Sequence, residues 1–343
     1  MKSDTTELVR LLRNKIERDG PQSFAWFMQQ ALYHPEHGYY SSDRAEIGRS
    51  GDYFSNVSVG PLFGELLTAQ FSEIWERLGR IENFVVVEQG AHHGQFARDV
   101  LESAKQRFPQ FFAALRYRIV EPFPKLRDRQ AQTLQMLGER VDWRESLDEM
   151  EAFTGLHFSN ELLDSMPVGL RNKFVDFFGE EFVFVDSATE QTTNQLQLDW
   201  IDKIAARLQR GFIIIVDYGF VRSEFREMVQ VRAKQRLLKS LFEEIGHADI
   251  TAHINWTDIA ECAEKNDLKV CGFTDQHHFL TGIISGCPEI VAGEKSKRAL
   301  QTLLHPEMLG RSFQVLGLAK DADAGAAMSG FKFARDPRKS LGL

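Results

Sequence analysis

Three short stretches of the sequence combine residue types and spacings that could carry chemistry. The first, Glu88-Gln89-Gly90-Ala91-His92-His93-Gly94-Gln95, follows the apolar run Phe84-Val85-Val86-Val87 and precedes a helical pattern. A strand that turns through glycines into a helix brings bare main-chain amides and a helix N-terminus against a nucleotide-like ligand. Gly90 and Gly94 are in place, but the middle glycine of a dinucleotide fingerprint is not, because His92 occupies it. The second stretch ends the run Arg116-Tyr117-Arg118-Ile119-Val120 with Glu121. An acid at that sheet edge accepts hydrogen bonds from two ribose hydroxyls, which suits a nicotinamide dinucleotide or S-adenosylmethionine. Glu88, directly before the glycine turn, favours the second. The third stretch, Ser159-Asn160-Glu161-Leu162-Leu163-Asp164-Ser165-Met166-Pro167-Val168, is a polar cluster following an apolar run, where an acceptor would lie. Its plainer reading is a helix start, with Asn160 as N-cap and acids in the first turn favoured by the dipole. Two acids three residues apart on such a helix share one face.

The elements that must position these groups alternate in type. Strands are expected at 84–88, 116–121, 141–143, 156–159 and 211–217, with helices at 95–107, 124–137 and 198–210 between them. That alternation predicts a parallel sheet with helices on both faces, and the continuous run Phe212-Ile213-Ile214-Ile215-Val216 belongs at its buried centre. Two Phe/Val-rich runs around Gly179-Glu180, within 172–187, read as a β-hairpin. Ahead of the sheet, helices at 7–16 and 23–32 and a Gly/Ser/aromatic loop at 33–64 form an N-terminal cap, and a helix follows at 62–78. The segment 223–245 reads as a charged helix whose Arg226, Arg232, Lys234, Arg236 and Lys239 form a solvated basic stripe. After it come a helix at 256–265, strands at 269–273 and 313–318, and a loose tail from Lys320. The expected division is therefore a cap over 1–80, a cofactor-binding domain over 81–319 and a flexible tail over 320–343.

Composition narrows the class. The chain has 343 residues, 41 basic against 49 acidic side chains for a net charge of −8, and 43% apolar content. Collagen-like, coiled-coil and disordered classes are excluded, and the acidic balance argues against a broad nucleic-acid footprint. Three cysteines, Cys262, Cys271 and Cys287, fit neither a metal knuckle nor a disulfide framework, which suggests a reducing compartment. The N-terminus lacks a signal-peptide run, and no stretch approaches the roughly 20 apolar residues of a membrane span, so a cytoplasmic protein is expected. No pair of histidines has the HExxH arrangement, and no metal is expected.

Longer motifs carry a resemblance. GPQSFAWFMQQALYHPEHGYYS, GRSGDYFSNVSVGPLFGELL, VVEQGAHHG, FSNELLDSMPV, IIIVDYGF and DITAHINW occur in an order that resembles the MidA-like family of S-adenosylmethionine-dependent methyltransferases, over about residues 20–319. Mitochondrial members of that family act in respiratory complex I assembly by methylating arginine. The resemblance implies a class I methyltransferase fold, with a Rossmann-like seven-stranded sheet, an N-terminal helical and loop cap and a β-hairpin insertion. It implies S-adenosyl-L-methionine as cofactor, held by Glu88, Gly90, Gly94 and Glu121, with Gly51, Asp52, Phe54 and Ser55 closing from the N-terminal loop. Asn160, Glu161 and Asp164 would face the methyl acceptor, an arginine side chain of a protein. Carboxylates suit that acceptor because they fix the planar guanidinium fork.

Two departures from the family pattern bear on function. His92 adds a side chain where close main-chain approach is expected, and the segment after Asp217-Tyr218-Gly219 is short, with a glutamine near an expected histidine. They motivate two alternatives to arginine methylation: a small-molecule O- or N-methyltransferase, and a cofactor-binding assembly protein with little catalysis. A nicotinamide dehydrogenase is the remaining reading of the glycine turn. The phenylalanines at 174–184 pack a core or, if exposed, offer a homodimer or partner surface.

Overall fold

The computed structural model describes residues 6–42, 55–186, 193–293, 296–323 and 327–343. The chain divides into two compact units, a larger one from 55–162, 200–225 and 254–343, and a smaller one from 1–54, 163–199 and 226–253.

The larger unit is built on seven strands: β1 (Phe84–Gln89), β2 (Leu115–Val120), β3 (Val141–Arg144), β4 (Phe153–Asn160), β5 (Leu208–Asp217), β6 (Lys269–Asp275) and β7 (Gln314–Lys320). Their spatial order is 3-2-1-4-5-7-6. The first five run parallel, while β7 lies antiparallel to both β5 and β6. This is the class I methyltransferase sheet that the motifs implied. Its central strands are apolar on both faces because helices cover both, so Ile213, Ile214 and Ile215 are all fully buried.

The helices Leu62–Arg77 and Gln95–Arg107 pack on the face of β1 that carries Phe84, Val86 and Glu88. Phe96 stacks on Phe158 of β4 at 4.5 Å between ring centroids, and Phe71 meets the same ring edge-on. On the opposite face Trp200 donates its indole N–H to Gln89 Oε1 at 2.8 Å. The strand order reverses between β1 and β4, so a crevice for ligands opens beyond their carboxyl ends.

The smaller unit holds the helices Glu7–Asp19 and Phe24–Tyr33 and two three-stranded antiparallel sheets. One sheet pairs Gln22–Ser23 with the hairpin Lys173–Phe178/Glu181–Asp186. The hairpin turns at Gly179-Glu180 as expected, and Phe27 packs on its Phe182 while Phe178 at the tip stays exposed. The second sheet joins Val229–Ala233 to Arg236–Leu237 and Asp249–Ala252.

That second sheet corrects the helix expected over 223–245. Val229 and Val231 alternate with Gln230 and Arg232, a period of two that suits a half-buried strand, and Val231 is buried opposite Ile250. The strand reverses through Lys234 and Gln235, both at positive φ, and the basic residues therefore lie along a hairpin and its flanks rather than on a helix face. Two further helices, Gln276–Gly286 and Ser296–Leu304, were not anticipated.

The loose tail expected from Lys320 is also corrected for residues 327–343. Lys320 ends β7, and the Phe331 ring covers Gly272 of β6 and Gly317 of β7, where any side chain would collide with it. Gln70 Oε1 and Glu73 Oε2 accept the Gly330 and Ser329 amides at 2.8 and 3.0 Å. A short helix, Pro337–Leu341, capped by Asp336, buries Leu341. The composition is tail-like, but a few apolar anchors order the segment. Among the described residues no helix is long and apolar enough to cross a membrane.

Candidate functional site

The turn between β1 and the helix Gln95–Arg107 is made by three residues in the left-handed region, Gly90 (φ 84°), His92 (φ 46°) and Gly94 (φ 79°). Gly94 donates its N–H to Ala91 O at 2.7 Å and accepts the first helical bond from Arg98. A side chain at Gly90 would just touch Leu162, 3.4 Å away, and one at Gly94 would lie 3.3 Å from the Gln130 Cα. Both glycines thus combine positive φ with a close neighbour. His92 adopts the conformation without being glycine, and its ring lies 3.7 Å from that of His93 between centroids. The Nε2 of His93 is 3.1 Å from Arg129 Nη1.

Glu121 follows β2 directly and is buried. Its Oε1 accepts the Phe123 N–H at 3.0 Å and its Oε2 accepts Gln130 Nε2 at 3.1 Å. Burial pushes its carboxyl up to about 7, against the pull of those two donors and of Arg127. The same Gln130 Nε2 donates to the His92 carbonyl at 2.8 Å, so one amide joins the glycine turn to the acid of β2.

Glu88 lies one residue before the end of β1 with its side chain among the packed helices. Its Oε2 accepts the Tyr117 hydroxyl at 2.7 Å. Burial raises its carboxyl to about 8, with nearby Asp99 pushing the same way, so it is mostly neutral at pH 7. The sequence placed Glu88 with the cofactor residues; its hydrogen-bonding partner in the structure is instead Tyr117, in the packing beneath the turn.

At the carboxyl ends of β4 and β5 a second group assembles. Asn56 donates from Nδ2 to Asn160 Oδ1 at 3.0 Å, and Asn160 donates from Nδ2 to Glu161 Oε1 at 2.9 Å. The Asn56 main-chain N–H reaches the same Glu161 oxygen at 3.4 Å. Asp217, fully buried at the end of β5, accepts the Leu162 and Tyr218 amides at 3.1 and 2.8 Å. The structure corrects the helix start expected at Asn160: it is the last residue of β4, Glu161 has φ 53°, and its N–H bonds Val216 O. Asp217 takes the Leu162 amide that a helical turn would have used. Glu161 and Asp164 accordingly do not share a helix face, and Asp164 is a buried residue of the smaller unit whose carbonyl accepts the Ala252 N–H.

The structure thus gathers Gly90, Gly94, Glu121, Asn160 and Glu161 at one edge of one sheet. Ser55 is buried and exchanges hydrogen bonds with Ser58. Gly51, Asp52 and Phe54 lie outside the described residues. Sequence reasoning missed Asn56, Tyr117, Gln130 and Trp143. Asn56 was within reach, since it follows Ser55 in the Gly-Asp-Tyr-Phe-Ser motif, whereas Gln130 in a polar helix carries no local signal.

Known proteins agree with this architecture. Residues 66–274, more than half of the chain, match the family described as "Putative S-adenosyl-L-methionine-dependent methyltransferase". The chain belongs to that family and is an S-adenosylmethionine-dependent methyltransferase. A crystal structure of a Burkholderia thailandensis protein bound to S-adenosyl-homocysteine superposes with a TM-score of 0.85 at 25% identity, covering 97% of this chain and 96% of that one. A mouse protein named protein arginine methyltransferase NDUFAF7, mitochondrial, is 28% identical over 92% of this chain and 85% of its own length. Its Drosophila melanogaster homolog is 27% identical, over 80% and 74% respectively.

Proposed function

We propose that this methyltransferase acts on an arginine guanidinium of a protein. The observation that carries the reading is the relay from Asn56 through Asn160 to Glu161, which presents a carboxylate at the sheet edge beside the glycine turn. A carboxylate fixed there accepts N–H bonds from a guanidinium and sets the plane of its fork. The names of the mouse and Drosophila relatives support the same acceptor.

The residues present suit the cofactor. Gly90 and Gly94 leave the main chain of the turn bare, and Glu121 offers a buried carboxylate to ribose hydroxyls. In this reading Gly51, Asp52, Phe54 and Ser55 complete the cofactor site, as the motif resemblance implies. S-adenosylmethionine supplies a methyl group on a sulfonium. Glu161 holds the acceptor so that the guanidinium nitrogen lone pair lies in line with that carbon. Transfer of that methyl would leave the sulfur neutral with the C–S electron pair and would release one proton from the nitrogen to water. Glu161 therefore acts by orientation and charge rather than by proton transfer.

The test is transfer of tritiated methyl from S-adenosylmethionine to protein, followed by hydrolysis and amino-acid analysis. Methylarginine that disappears with Glu161→Gln supports the proposal. Label in lysine, in carboxyl esters or in a small molecule contradicts it.

A further inference from the structure

Both polar atoms of the Gln130 amide are engaged, although the residue is wholly buried. Trp143 Nε1 donates to Gln130 Oε1 at 3.0 Å. An indole N–H can only donate, so the amide oxygen must face Trp143 and the NH₂ must face away. Its two hydrogens then go to the His92 carbonyl at 2.8 Å and to Glu121 Oε2 at 3.1 Å. The first acceptor belongs to the non-glycine left-handed residue of the glycine turn, and the second is the acid assigned to ribose. The helix that carries Gln130, Pro124–Thr133, also closes on the turn through the Gln130 backbone beside Gly94.

We infer that Gln130 is a positioning residue for the cofactor, a crossbar whose amide turns the Glu121 carboxylate toward the ribose while tying it to the glycine turn. The inference rests on Glu121 accepting the ribose hydroxyls. Trp143 is part of the device, because its N–H holds the amide oxygen on the side away from the two acceptors and so reinforces the orientation they require. The donor acts on protonation as well as on direction, since a carboxylate that loses an N–H partner holds its proton more tightly. Phe123 N–H is the other donor to Glu121. Among charged groups on the packed elements, Arg127 faces it but is shared with Glu145. Arg144 of β3 is directed to Glu151, and Arg129 to His93. None of these can replace the buried amide.

The experiment is calorimetric titration of the full chain with S-adenosylhomocysteine between pH 6 and 9, on wild type, Gln130→Leu, Glu121→Gln and the double variant. Gln130→Leu should weaken binding about tenfold at pH 7, the scale of a lost charge-assisted hydrogen bond. The loss should shrink by pH 9, where Glu121 ionises without help, and should largely vanish in the Glu121→Gln background. A Gln130→Leu effect that is independent of pH and of Glu121 would overturn the inference, as would no effect while Glu121→Gln weakens binding. If Glu121→Gln itself binds as wild type, the ribose assignment fails, and the crossbar with it. Should Gln130→Leu not fold, Trp143→Phe keeps an aromatic ring at the site and removes the orienting N–H together with part of the indole. It should produce a smaller loss with the same dependence on pH, and a pH-independent result or none would again overturn the inference.

Discussion

Replacing Glu88 by glutamine should make the protein more stable relative to wild type as pH rises, which is the opposite of what loss of a useful carboxylate would do. The carboxyl is buried against Tyr117, and its folded value of about 8 lies well above the ordinary 4.5. Between these limits the native state holds a proton that the unfolded chain has released. Unfolding then becomes easier with pH by about 1.4 kcal/mol per unit, because the slope follows protons bound in the unfolded minus the native state. Glutamine keeps an acceptor for the Tyr117 hydroxyl and never ionises. From pH 6 to pH 8.5 the stability difference, variant minus wild type, should therefore widen by roughly 3 kcal/mol and then level off. Asp99 and Glu121, raised to about 6 and about 7, contribute slopes of the same sign; that of Glu121 is common to both proteins and cancels in the difference, whereas Asp99, which acts on Glu88, cancels only in part. Urea unfolding of both proteins at several pH values measures it. Parallel stability curves would show that Glu88 is ionised or hydrated throughout, and would refute the reasoning.

Three other outcomes are expected. His92→Gly should leave S-adenosylhomocysteine affinity within about twofold, because the main chain at φ 46° already holds the conformation glycine favours; a tenfold gain in titration would instead identify a degraded site. Phe331→Ala should destabilise by about 3–5 kcal/mol in denaturant unfolding, since a buried ring seated over two glycines is lost, and a change below about 1 kcal/mol would mean that residues 327–343 do not pack as described. Asn56→Ala should slow methyl transfer about tenfold while barely changing S-adenosylhomocysteine binding, because it releases Glu161 and not the turn; an equal loss in both would place Asn56 with the cofactor.

The parallel core and the glycine turn were legible because they are local: apolar runs of β1 and β5, glycines directly after β1, and an acid directly after β2. What escaped the sequence depends on distant partners. The Leu162 amide turns to Asp217, more than fifty positions on, and so ends the apparent helix start at Asn160. The segment around Val231 contains enough charge to mimic a helix face, and only pairing with Ile250 makes it a strand. Residues 327–343 scatter their apolar side chains among charge and glycine with no period of a helix or strand, yet Phe331 finds a seat that exists only once β6 and β7 are paired. At the site, Glu121 was visible as an acid at a strand end, whereas Gln130 gained its role from three groups far apart in the chain.

The most direct measurement is a crystal structure of the chain with S-adenosylhomocysteine. The ribose hydroxyls should lie on the Glu121 carboxylate, the chain of the ligand along Gly90 to Gly94, and its sulfur should turn toward Asn160 and Glu161. A nucleoside bound elsewhere on the sheet edge, with Glu121 still engaged only by Gln130 and Phe123, would contradict this placement.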